Sequence, residues 1–174
     1  MAKISFLKLG LKTNSDVRNI TYNDQDIEIK QYLPVEKKIE VINEIINSTV
    51  EDIGFFNPFK LEIITNFCLI KAYTNINFTE KQITEDFFKT YNLLESSGLM
   101  TEIFAAIPED EIDCIRKASE KSSKAIMEYN NSVSGLLERV SQDYSNVTFD
   151  LDKLQEVLGN PENLTLVKEM IKNV

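Results

Sequence analysis

The stretch Val17-Arg18-Asn19-Ile20-Thr21-Tyr22-Asn23-Asp24-Gln25-Asp26-Ile27-Glu28-Ile29-Lys30-Gln31-Tyr32-Leu33-Pro34 decides how this chain is read. Ile20 and Tyr22 alternate with polar residues before Asn23-Asp24, and Ile27 and Ile29 do so after it. Period-two alternation on both sides of a two-residue turn is the pattern of a half-buried β-hairpin. Asn and Asp tolerate the positive φ that a tight hairpin turn requires. The pattern changes at Leu33-Pro34, because proline is pre-organised for the first turn of a helix. A lone hairpin is marginal in water. Ile4 and Phe6, which alternate around Ser5, are therefore expected to add a third strand.

Downstream of the hairpin the periodicity is helical. Val35, Ile39, Ile42 and Ile46 recur at helical spacing through Asn47. A second helix is expected from Asn57-Pro58 to about Tyr73. Its apolar residues (Phe59, Leu61, Ile63, Ile64, Phe67, Cys68, Ile70) fall on more than one face, as in a central, heavily buried helix. A third starts at Thr79 or Thr84, with Thr79 and Gln82 spaced as a capping box, and stops at Gly98, a left-handed C-terminal cap. Leu99 to Ile107 reads as a short apolar helix. Pro108 opens the next, and Glu109, Asp110, Glu111 and Asp113 crowd its first turn, where negative charge offsets the helix dipole.

From Pro108 to about Asp143 a heptad can be counted. Ile112, Ser119, Ile126, Val133 and Val140 fall seven apart, and Ile115, Ser122, Tyr129 and Leu136 fill the second seam position. The serines weaken the seam in its middle. A helix of that length spans about 50 Å, so it either protrudes or breaks near the serines or Gly135. Two short helices are expected in the tail, from about Asp150 to Leu158 and from about Pro161 onward. The fold class is mainly α (α+β): a bundle of six to seven helices with an N-terminal β-hairpin and one long helix in the C-terminal half. The chain reads as a single domain over 1–174, with a hairpin segment at 1–33, a helical core at 34–107, and the long and terminal helices at 108–174.

Composition narrows the chemistry. The 174 residues include no His and no Trp, and 28 acidic side chains against 19 basic ones give a net charge of −9. Without His there is no Ser-His-Asp triad, no Cys-His pair and no imidazole metal ligand. An acidic chain argues against a nucleic-acid face, which needs clustered Lys and Arg. The charge is uneven: residues 1–50 are neutral, with Lys3, Lys8 and Lys12 leading, and the excess acidity lies beyond them. Those lysines interrupt the apolar N-terminal run, so neither a signal peptide nor a membrane segment is expected. Cys68 and Cys114 both read as buried free thiols.

No motif supplies a reaction. Asp24, Asp26 and Glu28 alternate like the start of an oxygen-ligand site, but they lack the Gly and distal Glu of an EF-hand loop. Five glycines build no phosphate loop, and nucleophile-elbow and kinase signatures are missing. No catalytic, cofactor-binding or metal residue is therefore assigned, no cofactor or small-molecule substrate is expected, and the chain is read as a non-enzyme. What remains is a signal for association. Phe55, Phe56 and Phe59 surround a turn, Phe87 and Phe88 form a second aromatic group, and Ile112, Ile115, Ile126, Tyr129, Val133 and Leu136 form the heptad seam. These are the candidate partner-binding residues, fitting a groove for an amphipathic helix or a helical seam. The basic N-terminus against an acidic body also suits contact between copies of the chain.

Several segments carry a resemblance. Met1-Ala2-Lys3-Ile4-Ser5-Phe6, Tyr32-Leu33-Pro34, Ala72-Tyr73-Thr74-Asn75-Ile76-Asn77-Phe78-Thr79, Ser141-Gln142-Asp143-Tyr144-Ser145-Asn146 and Asn160-Pro161-Glu162-Asn163-Leu164-Thr165 look like a family of small proteins encoded by phages and prophages of low-GC Gram-positive bacteria. The wealth of Asn, Ile and Lys agrees with an AT-rich genome. The hairpin followed by Leu-Pro and helices also resembles, in architecture, the tail assembly chaperones of long-tailed phages. The resemblance implies a protein of tail morphogenesis that binds the tape-measure or tail-tube protein, or itself, in the host cytoplasm. The alternatives are a structural component of the virion and an acidic phage inhibitor of a host defence or transcription protein.

Overall fold

The computed structural model describes residues 3–49 and 57–130, together with Ser132 and Gly135. Contacts group the chain into two compact units, Met1–Glu128 and Tyr129–Val174. The fold below belongs to the first, apart from the last residues of its final helix. Among the described residues it is mainly helical, with an N-terminal antiparallel hairpin.

The hairpin forms as its alternation dictates. Strands β1 (Val17–Tyr22) and β2 (Gln25–Lys30) pair with Ile20 opposite Ile27 and Arg18 opposite Ile29. Asn23 and Asp24 both take positive φ, 49° and 59°, as a type I′ turn requires. One face carries Ile20, Tyr22, Ile27 and Ile29, and Ile29 is completely buried.

The third chain in this small sheet is not the N-terminus. Ile29 bridges to Thr74, the Asn75 amide donates to the Glu28 carbonyl at 3.3 Å, and the Glu28 amide donates to Asn75 Oδ1 at 3.1 Å. The segment leaving a buried helix therefore occupies the edge that the Ile4–Phe6 alternation was expected to fill. Residues Phe6–Leu9 instead form one 3₁₀ turn, closed by Lys8 donating to Ser5 and ended by Gly10 in the left-handed region. Leu7 directly after Phe6 breaks the strand period, and a turn tolerates that pair.

Among the described residues six helices follow: α1 (Val35–Thr49), α2 (Pro58–Tyr73), α3 (Glu80–Ile83), α4 (Phe87–Ser96), α5 (Leu99–Ala106) and α6 (Glu109–Asn130). Asn57 caps α2, its side chain accepting from the amides of Phe59 and Lys60, with Pro58 in the first turn. As its many-sided apolar pattern implies, α2 is the centre of the core, burying Leu61, Ile63, Phe67, Cys68, Leu69, Ile70 and Tyr73. Thr79 and Gln82 make the expected reciprocal capping box, but the helix they start is only α3. The chain turns at Thr84–Asp86 and restarts as α4 from Asp86, so the Thr79 start holds for α3 alone, and Thr84, the other candidate start, closes α3 instead of opening a helix. Gly98 ends α4 with φ 78°.

Two faces differ from the expected ones. On α1 the buried residues are Val41, Ile45 and Thr49, while Val35 and Ile39 lie exposed. The helix meets α2 along a stripe one residue round from the predicted one. On α6, Ile112 and Ile115 point into the core and Cys114 points out, so only Cys68 is a buried thiol. Helix α6 passes unbroken through its serines, and Ser119 and Ser123 are buried. The predicted tail helices at 150–158 and from 161 onward lie outside the described residues.

Candidate protein-interaction surfaces

Polar side chains first fix how the helices meet. Glu111 in the first turn of α6 is buried, and both its oxygens are used. Oε1 accepts from Lys38 Nζ at 2.6 Å, and Oε2 accepts from the Tyr73 hydroxyl at 2.8 Å and the Leu33 amide at 3.1 Å. Lys38 also lies 4.8 Å from the Tyr32 ring centroid. Burial alone raises the Glu111 pKa. The hydrogen bonds from Lys38, Leu33 and Tyr73, with the Lys38 charge, outweigh burial and hold it below the ordinary glutamate value. Tyr73 moves the other way: burial first, then its bond to Glu111, holds its proton tightly. One carboxylate thus ties the hairpin exit, α1, the end of α2 and the start of α6.

A second chain of bonds links α2, α4 and α6. Arg116 Nη2 donates to Asn66 Oδ1 at 2.8 Å, and Asn66 Nδ2 donates to the Tyr91 hydroxyl at 3.2 Å. The guanidinium sits 5.6 Å from the Phe104 ring centroid. Beside it a cleft of about 460 Å³ is lined by Leu61, Glu62, Thr65, Arg116 and Glu120. The hairpin is fixed as well: Tyr22 donates to the Ser97 carbonyl at 3.1 Å and Gln31 Nε2 to the Ala106 carbonyl at 3.0 Å. These groups are satisfied by one another, which is how buried polar atoms hold a single arrangement.

Of the predicted aromatic residues, Phe59, Phe87 and Phe88 then come together where α2 meets the α3–α4 turn. Phe67, buried on α2, contacts Phe78 at 4.8 Å and Phe87 at 5.1 Å between ring centroids; Phe87 continues to Phe88 at 5.4 Å and Tyr91 at 6.5 Å. Tilted and edge-on rings at these separations are favourable pairings. The cluster climbs from the core to an open groove of about 460 Å³, lined by Phe59, Ile63, Ile64, Phe67, Ile83, Phe87 and Phe88 with Glu44 and Lys60 among its polar lining. Phe59 and Phe88 stand at its edge, 69% and 67% exposed. Cys68 lines it too, its thiol pushed up to about 12 by burial and then by the Glu44 charge, so it stays protonated at neutral pH.

No family model, curated protein or solved structure matches the chain. Its surfaces are therefore read from its own residues.

The candidate seam divides. Ile112 and Ile115 are core residues, with Ile115 completely buried, and offer nothing to a partner in this fold. Ile126 is half-buried and Tyr129 is half-exposed. Phe55, Phe56, Val133 and Leu136 lie outside the described residues. Of the eleven candidates, the groove brings together Phe59, Phe87 and Phe88.

Sequence reading overlooked three things. Ile63, Ile64, Phe67 and Ile83 complete the groove, but on paper they are indistinguishable from core. Glu111 lies four residues before Ile115, an acid on the apolar stripe of α6, and that placement marks it as more than a dipole-compensating cap. At the N-terminus the lysines read as a contact surface, but Ile4 and Phe6 are expected in a strand, and the exposure of the apolar side chains is missed. Ile4, Phe6, Leu7, Leu9 and Leu11 are 76%, 72%, 88%, 53% and 69% exposed. Scattered surface apolar residues are ordinary, whereas five in eight positions are an unusual run to leave exposed among the described residues.

Proposed function

We propose that this chain is a non-enzymatic phage protein that works through protein–protein contacts in tail morphogenesis, in the manner of a tail assembly chaperone that binds the tape-measure or tail-tube protein. The observation that carries the interaction reading is the exposed apolar arm at Ile4–Leu11, together with the open aromatic groove at Phe59, Phe87 and Phe88. The setting in tail assembly comes from the resemblance of the quoted segments to phage and prophage proteins. Every strongly perturbed group described above is tied into the fold: Glu111 and Tyr73 bond each other, and Cys68 is a protonated, buried thiol.

Among the described residues, no helix is long and apolar enough to cross a membrane. Work in the host cytoplasm, where tails are built, is part of the proposal. Disrupting the gene in its resident phage or prophage tests it: particles should lack tails or carry tails of aberrant length, and purified wild-type particles should lack the protein. Normal tails in its absence contradict the reading. Its presence at fixed copy number in particles replaces the chaperone role with a structural one.

A further inference from the structure

Strand β1 has one edge with hydrogen-bonding groups to spare. The Gln31 amide donates to the Asp16 carbonyl at 3.0 Å, and bonding in an antiparallel ladder alternates from residue to residue. Arg18, Ile20 and Tyr22 therefore turn their main-chain groups toward β2, opposite Ile29, Ile27 and Gln25. The same alternation turns Glu28 outward on β2, where Asn75 takes up both its amide and its carbonyl. On β1 it turns Val17, Asn19 and Thr21 outward. Among the described residues no main chain pairs with them, because β2 is the strand neighbour of β1 on its other side. All three residues are exposed.

Natural edges are blunted by proline, lysine or a bulge. Val17–Tyr22 contains neither residue, and its register with β2 is unbroken. Its one charged side chain, Arg18, is turned to the Ala105 carbonyl at 3.4 Å, and Tyr22 to that of Ser97 at 3.1 Å, so both lie over the inner face of the hairpin rather than its edge. A row of free N–H and C=O groups takes an added strand, and β1 itself fits it. Two copies laid antiparallel about Asn19 set Val17 against Thr21 and Asn19 against Asn19. Outward residue then meets outward residue, and each such pair exchanges two hydrogen bonds. Arg18 falls opposite Ile20, so no like charges meet. Charge along the hairpin favours the same direction. Its turn end carries Asp24 and Asp26, and its open end Asp16, Arg18 and Lys30, −2 against +1. Antiparallel pairing lays the acidic end of one copy beside the basic end of the other.

We infer that β1 pairs with β1 of a second copy across a twofold axis, joining two hairpins into one continuous sheet. Such an interface is self-complementary and closes at a dimer. It stands apart from the tail-assembly reading, which concerns a different partner: a monomeric chain leaves that reading to particle morphology, and normal tails without the gene leave the dimer standing.

Residue-resolved amide hydrogen exchange of the full chain over about a hundredfold range of concentration, with sedimentation velocity alongside, tests this. Wild type should associate as concentration rises. The amides of Val17, Asn19 and Thr21 should then slow at least tenfold, while those of Arg18, Ile20 and Tyr22 stay protected throughout. Asn19→Pro deletes the central outward N–H and no bond to β2, so it should keep the wild-type circular dichroism spectrum and raise the dissociation constant at least tenfold. Asn19→Ala keeps that N–H and should associate within about threefold of wild type. A monomeric wild type overturns the inference, as does a dimer whose Val17, Asn19 and Thr21 amides exchange at the monomer's rate. So does protection of these amides that appears only when a different protein is added, which gives the edge to that partner. The exchange readout on wild type needs no variant to fold.

Discussion

The Tyr73 hydroxyl, at the end of α2, donates a 2.8 Å hydrogen bond to Oε2 of Glu111, in the first turn of α6. Both residues are buried, so the bond is made away from competing water. The same carboxylate holds Lys38 of α1 and the Leu33 amide, where the hairpin hands over to the helices. Glu111→Ala removes all three acceptor contacts and leaves the partly buried Lys38 ammonium without its carboxylate, which costs about 3 kcal/mol. Tyr73→Phe deletes one donor to a charged acceptor and costs about 1.5–3 kcal/mol. Denaturant unfolding monitored by circular dichroism should rank the two variants in that order.

The pH dependence of stability has a definite sign at this site. The folded pKa of Glu111 lies below its ordinary value of 4.5. Its contribution is therefore fully present above about that pH and is lost as the pH falls through the depressed folded value. The stability difference between wild type and Glu111→Gln should be constant from neutrality to about pH 5 and shrink below it. A difference that grows on acidification contradicts the assignment.

The hairpin turn places two residues with side chains at positive φ, Asn23 at 49° and Asp24 at 59°. Glycine takes this conformation freely, whereas an L-residue there is strained. Asp24→Gly restores the favoured Asn-Gly turn and should stabilise the protein by about 0.5–1 kcal/mol. At this chain length that is a rise of roughly 1–4 °C in Tm, measurable by calorimetry. Asp24→Val should lower it.

The aromatic cluster contains two populations. Phe67 is buried beneath Phe78 and Phe87, so Phe67→Ala leaves a cavity and costs about 3–5 kcal/mol. Phe88 is mostly exposed, and Phe88→Ser should change stability by no more than about 0.5 kcal/mol. Thermal unfolding separates them: the first variant melts early and the second melts with the wild type.

Much of this architecture is legible in the sequence because it is written locally. Alternation around Asn23-Asp24 fixes the hairpin, Thr79 with Gln82 fixes a cap, and the many-sided apolar pattern of 58–73 marks the central helix. What escapes is non-local. Nothing near Ile4 says that Thr74, some seventy residues on, will occupy the sheet edge it was expected to take. The buried stripe of α1 is set by where α2 lies, and it is Val41 and Ile45 rather than Val35 and Ile39. For the site, Phe59, Phe87 and Phe88 are visible as aromatic clusters, but whether an aromatic is wall, floor or core depends on neighbours that no spacing reveals. The Ile112–Ile115 seam shows the converse: its heptad spacing is real, and the fold itself uses it.

The central claim is that the chain acts on a tail protein through its exposed arm and groove. Co-expression with a tape-measure protein from the same phage or prophage, followed by affinity purification and size-exclusion chromatography, tests this most directly. Wild type should hold the tape-measure protein in a soluble complex, and a variant carrying Leu7→Asp, Leu11→Asp, Phe59→Ser and Phe88→Ser should fold but lose it. No complex with the wild type, or a complex that survives all four substitutions, contradicts the account.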